Sequence, residues 1–142
     1  YTGMDLRGWT AKPEVMHQWK ANDWTLEHDG KTGGDSGTLW SDSEHGDFEM
    51  IVDWRYPDDG PDEGAVLLRG DSKRALTLSG KGSKAWHRTR ITLRGNRVSM
   101  TVDGVETVSD PLHEGIASSG RIGLRPAGRP MQWANLFVRR LD

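Results

Sequence analysis

Two carboxylates and two guanidinium groups mark where chemistry could occur: Glu49, Asp53 and Arg55 on one segment, and Arg69 after a short apolar run. In "EHGDFEMIVDWRYP", residues 44–57, Phe48, Met50, Val52 and Trp54 alternate with Glu49, Ile51, Asp53 and Arg55. That is the period of a β-strand with one face in the core. "PDDGPDEG" joins it to "AVLLRG". If the two segments form an antiparallel hairpin, Ile51 stands opposite Arg69, and Arg69 falls between Glu49 and Asp53, within the ~7–8 Å of diagonal neighbours. Such a row is either a cross-strand ion-pair ladder on a solvated face or a polar cleft. In a cleft a carboxylate serves as general base and the guanidinium fork steadies a substrate oxygen. Glu49 and Asp53 lie about 13 Å apart at ~3.3 Å per residue, outside the ~5–5.5 and ~6.5–9.5 Å separations of paired-carboxylate glycosidases. A mechanism with two opposed carboxylates is therefore not supported.

The elements that must position this row are short and β-rich. Turn signals recur along the chain ("HDGKTGG", "RGDSK", "SGKGSK", "RGNR", "VDGV", "PAGRP"), and the segments between them alternate with period two. Strands are predicted at 24–28, 37–40, 48–56, 65–69, 75–78, 87–94, 97–102, 105–108, 120–124 and 131–141, with no helical stripe. "RTRITLRGNRVSMTVDGVETV" predicts a three-stranded meander: Ile91, Leu93, Val98, Met100 and Val102 face inward, and Gly95-Asn96 and Asp103-Gly104 take the tight turns. Many short strands with Gly-rich turns give an all-β sandwich or barrel. At 142 residues, a single domain spanning 1–142 is expected.

Composition narrows the function classes. A formal charge of −2 gives no general attraction to polyanions, and the outward arginines of the meander lack interleaved aromatics, so no nucleic-acid partner is expected. No apolar run is long enough for a membrane span. The five histidines are scattered and there is no cysteine, so no metal site and no cofactor are expected. "DDGPDEG" lacks the spacing of a helix-flanked calcium loop and is expected to be an exposed acidic turn. Seven tryptophans beside two tyrosines and two phenylalanines supply flat apolar surfaces on which sugar rings can stack, although any single one is more often a core residue.

The order "DLRGW", "WTLEHDG", "GTLWS", "HGDFEMIVDWR", "GAVLLRG", "AWHRTRITLRGNRVSMTVDG" and "GRIGLRPAGRPMQWANLFVRRL" resembles the 3-keto-disaccharide hydrolase family over nearly the whole chain. The resemblance implies a concanavalin-like jelly-roll β-sandwich of two antiparallel sheets, a carbohydrate ligand, and a periplasmic or extracellular bacterial location. It also implies cleavage of glycosides oxidised to a ketone at C3, in which one base removes the acidified C2 proton and the aglycone is expelled. Carried onto this chain, Glu49 or Asp53 would be the base and Arg69 the stabiliser of negative charge. Trp40, Arg55, Trp86 and His87 would contact the sugar, and Asn135 matches the asparagine of the last strand. The chain departs from the family's pattern with "DEG" at 62–64. It also has Arg74-Ala75 near the place of a family acid, and almost no insertion before Trp86. A non-catalytic carbohydrate-binding module and a structural sandwich are the alternatives.

Overall fold

A computed structural model describes residues 8–22, 24–30, 37–58, 64–78, 84–111, 119–127 and 129–141. The strands are β1 (Trp9–Thr10), β2 (Trp19–Asn22), β3 (Thr25–His28), β4 (Leu39–His45), β5 (Phe48–Arg55), β6 (Ala65–Leu68), β7 (Asp71–Thr77), β8 (His87–Arg94), β9 (Arg97–Val102), β10 (Val105–Pro111), β11 (Gly120–Arg125) and β12 (Met131–Arg140). One helical turn, α1 (Pro13–Met16), starts on a proline, the position where a missing N–H costs nothing. A five-stranded sheet runs β1-β4-β11-β6-β7 and a seven-stranded sheet β10-β9-β8-β5-β12-β3-β2. All their pairings are antiparallel, which is the expected two-sheet sandwich.

The core lies between the sheets and takes one side of each alternating strand. Phe48, Met50, Val52 and Trp54 of β5 are fully buried, as are Ile91 and Leu93 of β8 and Leu39, Ile122 and Leu124 of the opposite sheet. Trp9, Trp19, Trp54 and Trp133 belong to this core, while Trp24 and Trp86 are exposed. The meander forms as expected, with Arg94 opposite Arg97 and Val102 opposite Val105. Asp103 and Gly104 both take positive φ; in the other turn Gly95 does and Asn96 does not.

The expected hairpin between 48–56 and 65–69 does not form. β5 pairs with β8 and β12, whereas β6 sits between β11 and β7 in the other sheet. The four residues of β6 are all buried, so the continuous run "AVLL" is a strand covered on both faces rather than a partner for the half-exposed β5. Loop symmetry misled because the chain crosses between sheets after β5. The strands β1 and β2 and the turn α1 were not anticipated either. The acidic turn expected within "DDGPDEG" falls mainly on 59–63, outside the described residues, as does the departure at Asp62 and Glu63.

Candidate functional site

The candidate residues divide among three places. Glu49, Asp53 and Arg55 lie as expected on the outer face of β5, half-buried. Arg69 does not join them: it occupies the β6–β7 turn at φ +53°, is buried, and donates to Asp47 Oδ1 at 3.2 Å. Trp40 is on β4 of the other sheet, where its ring lies so close to Gly123 that a Cβ there would stand 2.8 Å away. His87 turns toward the core side, opposite Trp54, and stacks on its ring at 4.9 Å. The Asp103 carboxyl meets His87 Nδ1 at 2.5 Å; the Arg88 backbone N–H, and then His87, hold it below the usual carboxylate value.

On the outer face of β5, all three polar groups meet side chains of the neighbouring strands. Asp53 accepts Arg88 Nε at 2.8 Å and Arg88 Nη2 at 3.1 Å, and Asn135 Nδ2 at 2.7 Å. Asn135 reaches it because β12 bulges between Ala134 and Phe137, with Asn135 at φ +48°, the geometry by which a bulge re-aims a side chain. Glu49 lies 3.5 Å from Arg139. Arg55 instead begins a row that crosses the sheet. Its Nε donates to Gln132 Oε1 at 2.5 Å, Gln132 Nε2 donates to Glu27 Oε1 at 2.8 Å, and Lys20 stands opposite Glu27. At the other end the Arg55 guanidinium lies 4.9 Å from the centroid of the Trp86 ring, a cation–π distance. Trp86 remains 40% exposed. Lys20 to Arg55 covers four adjacent strands, about 14 Å at ~4.8 Å per strand.

Only Arg55 and Trp86 of this row were singled out in the sequence. Gln132 and Glu27 were missed because their registers come from strands far apart in the chain. The alternation of "MQW" and "TLEH" would have placed them outward, without saying beside what.

Beyond Glu27 the row runs into a cavity of about 240 Å³. Pro57, Pro130 and Met131 form its apolar walls, and Gln18 and His28 are among its polar lining. His28 Nδ1 accepts the Gly30 N–H at 2.9 Å, and the ring meets Trp19 edge-on at 4.8 Å. Burial pushes the His28 imidazole down to about 4 from 6.5, outweighing the opposite pull of Asp29. His28 therefore folds neutral where the unfolded chain would be protonated, so its contribution to stability is full above about pH 6.5 and is lost as pH falls toward 4. One titrating group contributes at most the one-proton slope of about 1.4 kcal/mol per pH unit. Thermal unfolding between pH 4 and 7 should show a shallower decline for His28→Gln than for the native chain. Since burial also lowers His45 in both proteins, the difference isolates His28, and equal slopes would refute the assignment.

No protein-family model matches the chain, and no curated protein matches it. Solved structures do. A "putative glycosyl hydrolase" from Parabacteroides distasonis superposes with TM-score 0.78 at 13% identity, over 99% of this chain and 91% of that one. A carbohydrate-binding module from Bacillus subtilis gives TM-score 0.72 at 16% identity, over 94% and 96% of the two chains. A protein of unknown function with a galectin-like fold, also from B. subtilis, gives 0.61 at 12% identity over 95% and 90%. The fold is a galectin-like sandwich. In this sandwich the outer face of the seven-stranded sheet carries the row from Lys20 to Trp86. Among the described residues no cluster of three or more metal-ligating side chains occurs, and no helix is long and apolar enough to cross a membrane.

Proposed function

We propose that this protein binds carbohydrate on the outer face of the seven-stranded sheet, along Lys20, Glu27, Gln132, Arg55 and Trp86. The observation that carries the reading is the continuous hydrogen-bonded chain Glu27–Gln132–Arg55 ending on an exposed Trp86. An aromatic plane with amide, carboxylate and guanidinium groups fixed beside it offers the apolar C–H face of a sugar a surface and its hydroxyls both donors and acceptors. Lys20 and Arg55 against Glu27 leave the row one excess positive charge, and its amide, carboxylate and guanidinium groups suit the hydroxyls of polyols. Similarity over nearly the full chain to a carbohydrate-binding module supports this reading.

Hydrolysis of 3-keto-glycosides is the second reading, favoured by the likeness to the P. distasonis protein and by the family resemblance, which also suggests an exported bacterial protein. On this face the base would be Glu49 or Asp53, with Arg55 as the available guanidinium, because Arg69 lies on the other sheet. Binding fits the geometry better: Asp53 is already occupied by a bidentate arginine and an amide, so using it as a base would cost those bonds.

Calorimetry with a panel of neutral oligosaccharides should show saturable binding. Trp86→Ala should weaken it about tenfold or more, as removal of an aromatic anchor does, while Glu49→Gln changes it little. The same panel in 3-keto form, followed for aglycone release, decides between the readings. Release by the native chain that is lost in Glu49→Gln would establish hydrolysis, and neither heat nor release would dismiss both.

A further inference from the structure

We infer that the outer ladder of β8 and β9 receives the acidic groups of an anionic oligosaccharide, carboxylates or sulfates, on Arg90, Arg94 and Arg97. The inference rests on the carbohydrate reading of the same sheet face and adds the charge class of the sugar. Arginines on this face are of two kinds. Arg55 holds Gln132, Arg88 holds Asp53 and Arg139 holds Glu49. Arg90, Arg94 and Arg97 are exposed, and among the described residues their side chains meet no hydrogen-bond or ion-pair partner. The first kind is accounted for by the fold, and the second is not.

The placement of the three is costly without an anion. Arg94 stands directly opposite Arg97 across the β8–β9 turn, and like charges so placed destabilise a strand pair. The acids nearby are engaged elsewhere. Asp47 reaches the turn through the Gly95 N–H and also accepts Arg69, while Glu49, beside Thr92, lies 3.5 Å from Arg139. Glu106, opposite Thr101, leaves one acid against three guanidiniums. On a chain of formal charge −2 this concentrates positive charge against the overall sign, which steers anions to one place. A guanidinium fork grips the paired oxygens of a carboxylate or a sulfate. Between the arginines the ladder carries hydroxyls, Thr92 opposite Ser99 and Thr101 opposite Arg90, which can donate to and accept from ring hydroxyls. No aromatic plane interrupts the ladder, as base stacking would require, so an acidic sugar fits it better than a nucleic acid. Its position also continues the proposed site. Arg90 and Arg94 lie four and eight residues past Trp86, about 13 and 26 Å at ~3.3 Å per residue. An oligosaccharide stacked on Trp86 and running along β8 would carry its acidic groups over them.

The test titrates the native chain by calorimetry, at low and at high salt, with tetramers of galacturonate, mannuronate and guluronate, each beside its neutral methyl ester, and with a sulfated tetrasaccharide. At least one acidic tetramer should bind about 10–100-fold tighter than its neutral counterpart at low salt, the effect of three exposed ion pairs. High salt should erase most of that preference. The triple variant Arg90→Gln, Arg94→Gln, Arg97→Gln should bind acid and ester alike, with the ester's affinity unchanged. It should keep the native Tm or exceed it, since none of the three side chains holds a partner and two repel each other. Equal binding of acid and ester by the native chain, or a preference that survives in the triple variant, would overturn the ladder and leave the row at Trp86 standing. Binding of acids alone, lost in the triple variant and indifferent to Trp86→Ala, would support the ladder and remove the row. If no sugar binds, both fall. A single-stranded oligonucleotide of equal charge that binds as tightly as the best acid, and is lost in the same variant, would overturn the assignment to a sugar.

Discussion

Asp47→Ala should lower the stability of the fold by about 2–3 kcal/mol, or roughly 5–10 °C in Tm, although Asp47 lies outside the proposed binding row. Its Oδ1 accepts Arg69 Nη2 at 3.2 Å and the Gly95 backbone N–H at 2.8 Å, and its backbone carbonyl accepts the Leu141 N–H at 3.0 Å. One aspartate in the β4–β5 turn thus ties together the β6–β7 turn, the β8–β9 turn and the chain just after β12. Because Arg69 belongs to the five-stranded sheet and Gly95 to the seven-stranded one, the carboxylate clamps one end of the sandwich. The Arg69 side chain is only 3% exposed, and removing one of its partners weakens the compensation of a buried charge, a loss that reaches about 3–5 kcal/mol where a fully buried pair is broken. The estimate here is lower because the Asp47 side chain is 39% exposed and water can replace part of what is lost. Asp53→Ala is the comparison: its partner Arg88 is 57% exposed, and such a pair contributes about 1 kcal/mol or less. Urea denaturation followed by tryptophan fluorescence measures both. Arg69→Met should cost less than Asp47→Ala, since it removes the charge together with its need for a partner. Equal midpoints for Asp47→Ala and the native chain would show that the clamp carries no stability. The expected loss would mark Arg69 as a structural residue of the sandwich end.

The same arginine shows what was legible in the sequence. Alternation along "FEMIVDWR" fixes which side of β5 is buried, because the pleat allows no other assignment, and Gly95 and Asp103-Gly104 fix the meander because few residues take their backbone conformations. These are local signals and they held. Pairing between distant segments is not local. β5 finds its neighbours more than 30 residues away, as in the Asp53–Arg88 and Asp53–Asn135 contacts, and nothing in the spacing of Glu49, Asp53 and Arg69 records that the chain changes sheets between them. The one available hint was the unbroken apolar run of β6, which signals burial on both faces. The row toward Trp86 was half legible for the same reason. Arg55 and Trp86 stand out by residue type, but Gln132 and Glu27 acquire meaning only when β3, β12 and β5 lie side by side. The burial of Gln18 and His28 was not legible at all, because both are ordinary polar residues until the strands around them are in place.

Gly30→Ala should be the most damaging of the single-methyl changes near the His28 cavity, costing about 3–4 kcal/mol. Two effects add. Gly30 has φ +82°, a conformation that costs an L residue about 1–2 kcal/mol. A Cβ there would also stand 2.4 Å from Arg129 C and 2.5 Å from Pro130 N. These are backbone atoms at the entrance to β12, and they cannot rotate away as a side chain could. Relief requires moving either the 129–130 backbone, which carries the Pro130 wall of the cavity, or Gly30 itself, whose N–H fixes the His28 ring through Nδ1. Either movement disturbs the wall of the cavity or the seat of the His28 ring. Gly104→Ala separates the two effects, since Gly104 has φ +85° with nothing within 4 Å of the added methyl. It should lose only the conformational share, about 1–2 kcal/mol. Chemical denaturation of both variants tests this, and equal stability losses would mean that the Arg129–Pro130 backbone yields freely to the added methyl.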